Sequence, residues 1–349
     1  MLAWGHSNRT TTEAELIRWG ADTARVEGAV RSASAAASED AVELALVRPG
    51  SPAAAAGGGR KRIRVNGVPR RAAALAGLLR VVVFAPEEMS LVSGPPGLRR
   101  GALDAIASAT TPGHPAALAT YGRALQQRNR LLRAIREGTA ERAELRYWDR
   151  PLVEAGGEIV TGRLRLLDEL ARPLAAAHAE IAPDEAGAGD LRLRYVTNAT
   201  PGPGESPWDA LARRLAETAE KEEWNGATLV GPHRDDLAFE LGGHDLASFA
   251  SRGQQRTAIL ALKLAELDLL SALDGRPPLL LLDDVFSELD PERRAHLVRR
   301  IAELPQSFVT TTTPRDLDPG LLRVATAWEV RAGEAGASVV GPLAGAAVR

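Results

Sequence analysis

The sequence predicts an α/β protein, a mixed sheet covered by helices with a helical arm inserted into it. Three observations carry this. The first hundred residues read mostly as short strands between Ala-, Ser- and Gly-rich turns, residues from about 104 to 183 carry long amphipathic helical patterns, and the remainder alternates strand and helix. Such alternation argues for a largely parallel sheet with helical crossovers. A chain of 349 residues buries a sizeable core, and its length alone suits two domains. The expected division is a globular head built from residues 1–103 and 191–349, with the arm over 104–190.

The elements follow in order. "ARVEGAV" (24–30) and "AVELALV" (41–47) alternate or run apolar, and "KRIRVNG" sets Ile63 and Val65 on one face before Asn66-Gly67, a strong hairpin signal. "SPAAAAGGG" (51–59) is a surface loop, and "LRVVVFAP" (79–86) a short buried strand stopped by proline. In the arm, "YGRALQQRNRLLRAIREG" (121–138) carries Leu125, Leu132 and Ile135 at helical spacing and ends on glycine. "GEIVTGRLRLLDELARPLAAAHAEIA" (157–182) stripes Ile159, Leu166, Leu170, Leu174 and Ile181 on one face, with a kink expected at Pro173. His178 falls on that stripe and reads as a half-buried helical histidine. After "APDEAGAGD" (182–190) come the strand "LRLRYV", then strand, turn and strand in "TLVGPHRDDLAFEL" (228–241). A long helix over 251–273, the "LLLLDD" strand, a helix from Pro291 to Leu304, the strand "SFVTTTT" and a last strand around Trp328 to Val330 complete the chain.

Composition excludes several classes. Lys+Arg 43 against Asp+Glu 45 gives a net charge of -2, so any basic surface must be local. Cysteine is absent, which removes disulfide frameworks and cysteine-ligated zinc and fits a reducing cytoplasm. The opening "MLAWGHSNRTTTEAELIRWG" has no signal-peptide pattern, and no apolar run is long enough to span a bilayer. A cytoplasmic protein with no membrane contact is expected.

The chemistry concentrates in "LLLLDDVFSELD" (279–290) and "SRGQQR" (251–256). One carboxylate at the C-terminal end of a central parallel strand is a recurrent magnesium ligand, and Asp283 is placed for that. Asp284, pointing the other way, could polarise a water attacking a γ-phosphate. The plain alternative is a buried strand with a polar end. In "SRGQQR", Ser251 is a natural N-cap and Gly253 lets a phosphate approach the backbone of a helix N-terminus. A simple helix cap is the alternative there. Taken in order, capped Gly-containing helix start, apolar strand with two aspartates, then "SELD" is the layout of an ABC-type ATPase head.

Longer motifs narrow this. "LVGPHRDDL" (229–237), "FASRGQQRT" (249–257) and "LLLLDDVFSELD" together resemble the RecF family of bacterial recombination mediators. "APEEMSLVSGPPGLRRGALD" (85–104) resembles a further hallmark, departing at Pro95 and Ala102, and "QQRNRLL" (126–132) and "GGEIVTGRLRLLDEL" (156–170) fit the family's arm. The similarity runs from about residue 6 to the C-terminus. The resemblance implies an SMC-like ABC-type ATPase head whose helical arm is a short second lobe. It implies an ATP-dependent homodimer that binds ATP and Mg2+, contacts single- and double-stranded DNA at gaps, and works with RecO and RecR to load RecA in DNA repair, replication restart and the SOS response. It implies Asp283 as the magnesium ligand, Asp284 as the catalytic carboxylate, Ser251, Gly253 and Gln254 on the γ-phosphate of the partner's ATP, and Asp290 at the dimer interface. "VTTTTPRD" (309–316) lies where many ABC proteins carry a switch histidine, with a threonine in its stead. His233 and Arg234 read equally as a catalytic pair or as part of a hairpin turn, and Arg99 and Arg100 as DNA contacts or as a salt-bridged face.

One motif is missing. The resemblance calls for a G-x-x-x-x-G-K-[ST] loop, but the only lysines are Lys61, Lys221 and Lys263, and none has that spacing. Two expectations compete: an N-terminally truncated sequence, which the intact carboxylates and signature favour, or a natural non-hydrolysing relative acting as a DNA- or partner-binding scaffold. Either way, weak or no ATP binding and a poorly stable head are expected of this chain. An ABC transporter ATPase subunit is the more distant alternative, disfavoured by "GPHRDD".

Overall fold

The structure, a computed structural model, describes all residues except 4, 6, 8, 9, 11, 32–38, 56–59, 76, 314–316, 318, 334–337 and 344–349. Parts of "GHSNRTTTEAELIRWG", the 51–59 loop and "VTTTTPRD" therefore lie outside the described residues. The chain forms two compact units, residues 1–82 with 270–279, and residues 83–269 with 280–349.

The first unit is built on an antiparallel sheet of β1 (Thr23–Arg31), β2 (Glu39–Val47), β3 (Lys61–Val65) and β4 (Val68–Arg70), paired in that order. Side chains alternate across a strand, so β2 turns Val42, Leu44 and Leu46 inward, where they meet Ile63, Ile17 and Leu75. The turn between β3 and β4 has positive φ at both Asn66 (52°) and Gly67 (76°), the conformation a two-residue hairpin requires. The Asn66 side chain locks it, accepting from the Ala41 N–H and donating to Asp40, each at 2.8 Å.

The second unit follows β5 (Val81–Phe84). Helices α1 (Pro96–Thr110), α2 (His114–Arg136) and α3 (Arg146–Ile181) run before β6 (Leu191–Val196), and α3 continues through both Pro151 and Pro173. Helix α4 (Pro207–Asn225), which holds Lys221, fills the connection between β6 and the "GPHRDD" turn. Its signals are local: the Ser206 hydroxyl accepts from the Asp209 N–H at 3.2 Å, Pro207 is the first helical residue, and Gly226 closes it at φ 65°. Ala117, Tyr121 and Ala124 of α2, Leu152, Ala155 and Ile159 of α3, and Leu211 and Leu215 of α4 share one core. Gly156 allows the close approach of α4, since a Cβ there would lie 2.6 Å from Leu211 Cδ2.

Next come β7 (Asp236–Leu241), β8 (His244–Asp245), α5 (Arg252–Ala272), β9 (Leu279–Asp283), α6 (Pro291–Ala302), β10 (Ser307–Thr310), β11 (Trp328–Ala332) and β12 (Ser338–Pro342). Residues 228–230, expected as a strand, are irregular backbone. The described strands also fall into four sheets rather than one: β9 and β10 pair in parallel, whereas β6 to β8 and β11 with β12 are antiparallel. The parallel pair β9–β10 is joined through α6, a helix-bearing crossover of the kind a parallel return needs. Among the described residues, no helix is long and apolar enough to cross a membrane.

Candidate functional site

The apolar run of β9 buries Leu280 and Leu282 and so holds the strand while its C-terminal end stays half-exposed. There Asp283 lies opposite Thr310 of β10, whose hydroxyl donates to Asp283 Oδ1 at 2.5 Å. Asp284 leaves the strand in the left-handed region, at φ 52°, a conformation Asp tolerates better than most residues. Its N–H donates to the carbonyl and the hydroxyl of Thr310, both at 3.2 Å. Its Oδ1 is buried and, among the described residues, accepts no hydrogen bond. An orphaned buried acceptor costs roughly 1–3 kcal/mol that nothing inside the chain offsets, as expected of a group kept for a ligand or a water. Thr310, in the segment where many ABC proteins carry a switch histidine, thus touches the Asp283 carboxylate and the Asp284 backbone.

The α5 start is a reciprocal capping box. Ser251 Oγ accepts from the Gln254 N–H at 3.2 Å, and Gln254 Oε1 accepts from the Ser251 N–H at 3.0 Å. Gly253 sits one turn in, and a Cβ built on it would meet only Ser251 Oγ, at an ordinary 3.7 Å. The fold therefore has no internal need for glycine at 253, although glycine costs a helix roughly 1 kcal/mol relative to alanine. Space kept open at a helix N-terminus suits an anion brought from outside.

Asp290 acts locally. Its Oδ1 caps α6 by accepting from the N–H groups of Glu292 (3.1 Å) and Arg293 (2.9 Å), while Oδ2 pairs with the Arg293 guanidinium. Burial pushes this carboxyl up, but the Arg293 N–H and guanidinium outweigh it and hold it below the usual carboxylate range. None of the three lysines borders a phosphate-binding turn. Lys61 opens β3 and pairs with Glu13, Lys221 lies in α4, and Lys263 of α5 is buried against Glu88 (2.5 Å) and Glu266 (3.2 Å).

The "GPHRDD" turn is held by arginines. Arg99 forms a two-pronged pair with Asp236 (2.7 and 2.8 Å) and spends its third nitrogen on the carbonyls of Leu91, Val92 and Gly94. At 8 % exposure it is not available to DNA phosphates, and of its two readings the salt-bridged one holds. Half-buried Arg100 donates to the Asp235 carbonyl at 2.8 Å. From the arm, Arg163 grips Asp104 with two bonds of 2.8 Å and donates to the Pro232 carbonyl at 2.9 Å and the Tyr195 hydroxyl at 3.1 Å. Tyr195 in turn donates to Asp235 at 2.6 Å. Arg128 pairs with Asp149 and Glu222 and donates to the Thr228 hydroxyl at 2.8 Å.

His233 is part of the same network. Its Nδ1 lies 2.7 Å from the Tyr121 hydroxyl and its Nε2 3.2 Å from the Thr228 carbonyl, so the neutral ring accepts from Tyr121 and donates to Thr228. Burial, aided by the cations Arg234, Arg100 and Arg128, pushes its pKa down to about 4. Gly231, at φ 125°, brings the backbone so close to Tyr121 that a Cβ would lie 2.4 Å from the hydroxyl. These contacts favour the turn reading of His233 over the catalytic one. Sequence reasoning missed this network because its partners lie far apart in the chain.

Known proteins resolve what this combination belongs to. The chain matches no protein-family model. It is 38% identical over 323 residues to the DNA replication and repair protein RecF of Symbiobacterium thermophilum, covering 90% of this chain and 81% of that protein. The chain belongs to the RecF family. RecF of Bacillus subtilis is 35% identical over 338 residues, covering 95% of this chain and 87% of the relative. A solved structure of the recombination mediator protein RecF with ATP, in the RecFOR pathway, superposes with a TM-score of 0.79 at 31% identity, covering 91% of this chain and 82% of that one. The expected fold class, an ABC-type head with a mixed sheet covered by helices and a helical arm, is therefore that of RecF.

Proposed function

We propose that this chain is a RecF-type recombination mediator, acting in the cytoplasm in DNA repair and replication restart and in the SOS response to DNA damage. It binds DNA at single-strand–double-strand gaps and works with RecO and RecR to load RecA. In this reading residues 1–103 and 191–349 make the ATPase head and 104–190 its arm. What carries it is the pairing, in a RecF-family chain, of an open Gly253 at a capped helix start with an unpartnered buried oxygen on Asp284.

These residues fit one half of an ATP and Mg2+ site. Ser251, Gly253 and Gln254 offer helix N–H groups and an uncrowded approach to a phosphate, and the Asp284 oxygen lacks a partner that a water would supply. Among the described residues no group of three or more acidic, His or Cys side chains could hold a metal. That suits magnesium held by Asp283 together with phosphate oxygens and water, and not by a protein cage. ATP, when bound, supplies the phosphate charge that joins two heads. Ser251 and Gly253 receive the γ-phosphate carried by the partner of an ATP-dependent homodimer, Asp290 borders that partner, and Asp284 orients the attacking water. The phosphate loop that would complete the site is not among these 349 residues, so the chain by itself is expected neither to bind ATP tightly nor to hydrolyse it.

The test is retention of the chain on a gapped duplex in the presence of RecO and RecR, compared with an intact duplex of the same length. Preferential retention on the gap is expected. No retention on either DNA would contradict the proposal.

A further inference from the structure

Residues 44–86 contain no acidic side chain, yet residues 60–71 hold six basic ones in a protein whose net charge is -2. The fold gathers these six, Arg60, Lys61, Arg62, Arg64, Arg70 and Arg71, onto the β3–β4 hairpin at the edge of the first unit's sheet. Ile63 is buried at 6 % exposure, so its neighbours Arg62 and Arg64 stand on the outer face. The ladder extends to Arg60, whose carbonyl accepts from the Val47 N–H at 2.9 Å, and places Arg60 on that outer face as well. Residues two apart on a strand are about 7 Å from one another, so the three guanidinium groups form a spaced row. Arg70 pairs with Ile63 and so projects from the face opposite this row, while Arg71, just past the end of β4, follows the outer-face register of Pro69 and Arg64.

Most of this charge is not neutralised within the chain. Lys61 pairs with Glu13, and Arg64 lies 3.9 Å from Glu43, which is shared with Arg25. Arg60, Arg62, Arg70 and Arg71 are exposed, and among the described residues their side chains have no acidic or hydrogen-bonding partner. The unpaired guanidinium groups of Arg60, Arg62 and Arg71 gathered along one face repel one another, and a polyanion relieves that repulsion. Arginine in such excess favours phosphate over carboxylate surfaces of lower charge density.

We propose that the β3–β4 hairpin is a contact surface for the sugar–phosphate backbone of double-stranded DNA. Its chemistry points to duplex over single strand. No Phe, Trp, Tyr or His occurs between Trp19 and Phe84, so the hairpin has no aromatic platform on which unpaired bases could stack. A row of cations without such a platform reads charge spacing, which the duplex presents at twice the axial density of one strand. The inference rests on the DNA-binding reading above and assigns it a surface.

The experiment is fluorescence-anisotropy titration of the full chain with a labelled blunt duplex across salt concentrations. It compares the unaltered chain with one carrying Arg60→Gln, Arg62→Gln and Arg71→Gln, and with one carrying Arg60→Lys, Arg62→Lys and Arg71→Lys. Each phosphate contact contributes about 0.9 to the slope of log affinity against log salt, so the Gln set should lower that slope by about 2.7 and the Lys set should preserve it. Because all three side chains are exposed, loss of fold would show in circular dichroism and in both sets alike. An unchanged slope in the Gln set overturns this assignment and leaves DNA binding standing elsewhere. Absence of duplex binding by the unaltered chain overturns both readings. An equal loss of slope on a single-stranded oligonucleotide of the same length overturns the preference for duplex.

Discussion

Asp284 hangs on Thr310 by its backbone and not by its carboxylate: its N–H donates to Thr310 at 3.2 Å, while its Oδ1 is buried and unpaired. The fold thus fixes where this carboxylate sits without consuming it. A structural aspartate at the end of a strand would have satisfied that oxygen.

Replacing Asp284 separates conformation from charge. Asp284→Asn keeps a residue that tolerates φ 52° and removes the uncompensated charge, so urea denaturation should show stability unchanged or slightly raised. Asp284→Val, which cannot adopt that region without strain, should lose about 1–3 kcal/mol. Equal destabilisation by both would mean that the carboxylate has a structural partner.

Gly253→Ala should stabilise the chain by roughly 0.5–1 kcal/mol, because the new methyl meets only Ser251 Oγ at 3.7 Å and α5 gains helix propensity. A lowered denaturation midpoint would show that glycine is there for the fold and not for a phosphate.

The arm and the "GPHRDD" turn depend on Arg163. Its side chain is 3% exposed and holds Asp104, Tyr195 and the Pro232 carbonyl at once. Arg163→Met strands a buried carboxylate and should cost about 3–5 kcal/mol, whereas Arg165→Met, which breaks an exposed i,i+4 pair with Glu169, should cost under about 1 kcal/mol. Denaturation of the two variants side by side checks the contrast.

His233 predicts a pH dependence. Its folded pKa is pushed from 6.5 down to about 4, so between those values the unfolded chain takes up a proton that the native ring does not. The stability this neutral ring contributes is fully present above pH 6.5 and is lost as pH falls toward 4, by an amount on the order of 3 kcal/mol. Asp104 is lowered too, since its bonds to Arg163 and His114 outweigh the burial that pushes it up. Its loss falls below its unfolded value of 3.8, outside this window. Asp235 and Glu88, both raised by burial, act in the opposite sense and gain stability as pH falls. Comparing denaturation midpoints at pH 7, 5.5 and 4.5 in the parent and in His233→Asn isolates the histidine. A loss of stability toward acid that is as large in His233→Asn as in the parent would contradict its assignment.

Local chemistry was legible in the sequence and distant chemistry was not. The helix cap at Ser251, the Asn66-Gly67 turn and the apolar run before Asp283 each depend on neighbours within a few residues, and each appears where the pattern placed it. Helix α4 carries local signals as well, in Ser206, Pro207 and Gly226. The pairing of Arg99 with Asp236 spans 137 residues and that of Arg163 with Asp104 spans 59, and no periodicity connects such partners. For the same reason an arginine pair open to two readings resolved into a buried clamp at Arg99.

The most direct test of the account is whether α5 serves a nucleotide held by another protomer. Mg2+-ATP is titrated onto the chain alone, and then onto an equimolar mixture with a RecF protein that carries a phosphate loop, with association followed by sedimentation velocity. No tight binding by the chain alone, and ATP-dependent association in the mixture that Ser251→Arg abolishes, is the predicted result. Tight binding by the chain alone, or association that Ser251→Arg leaves intact, would contradict it.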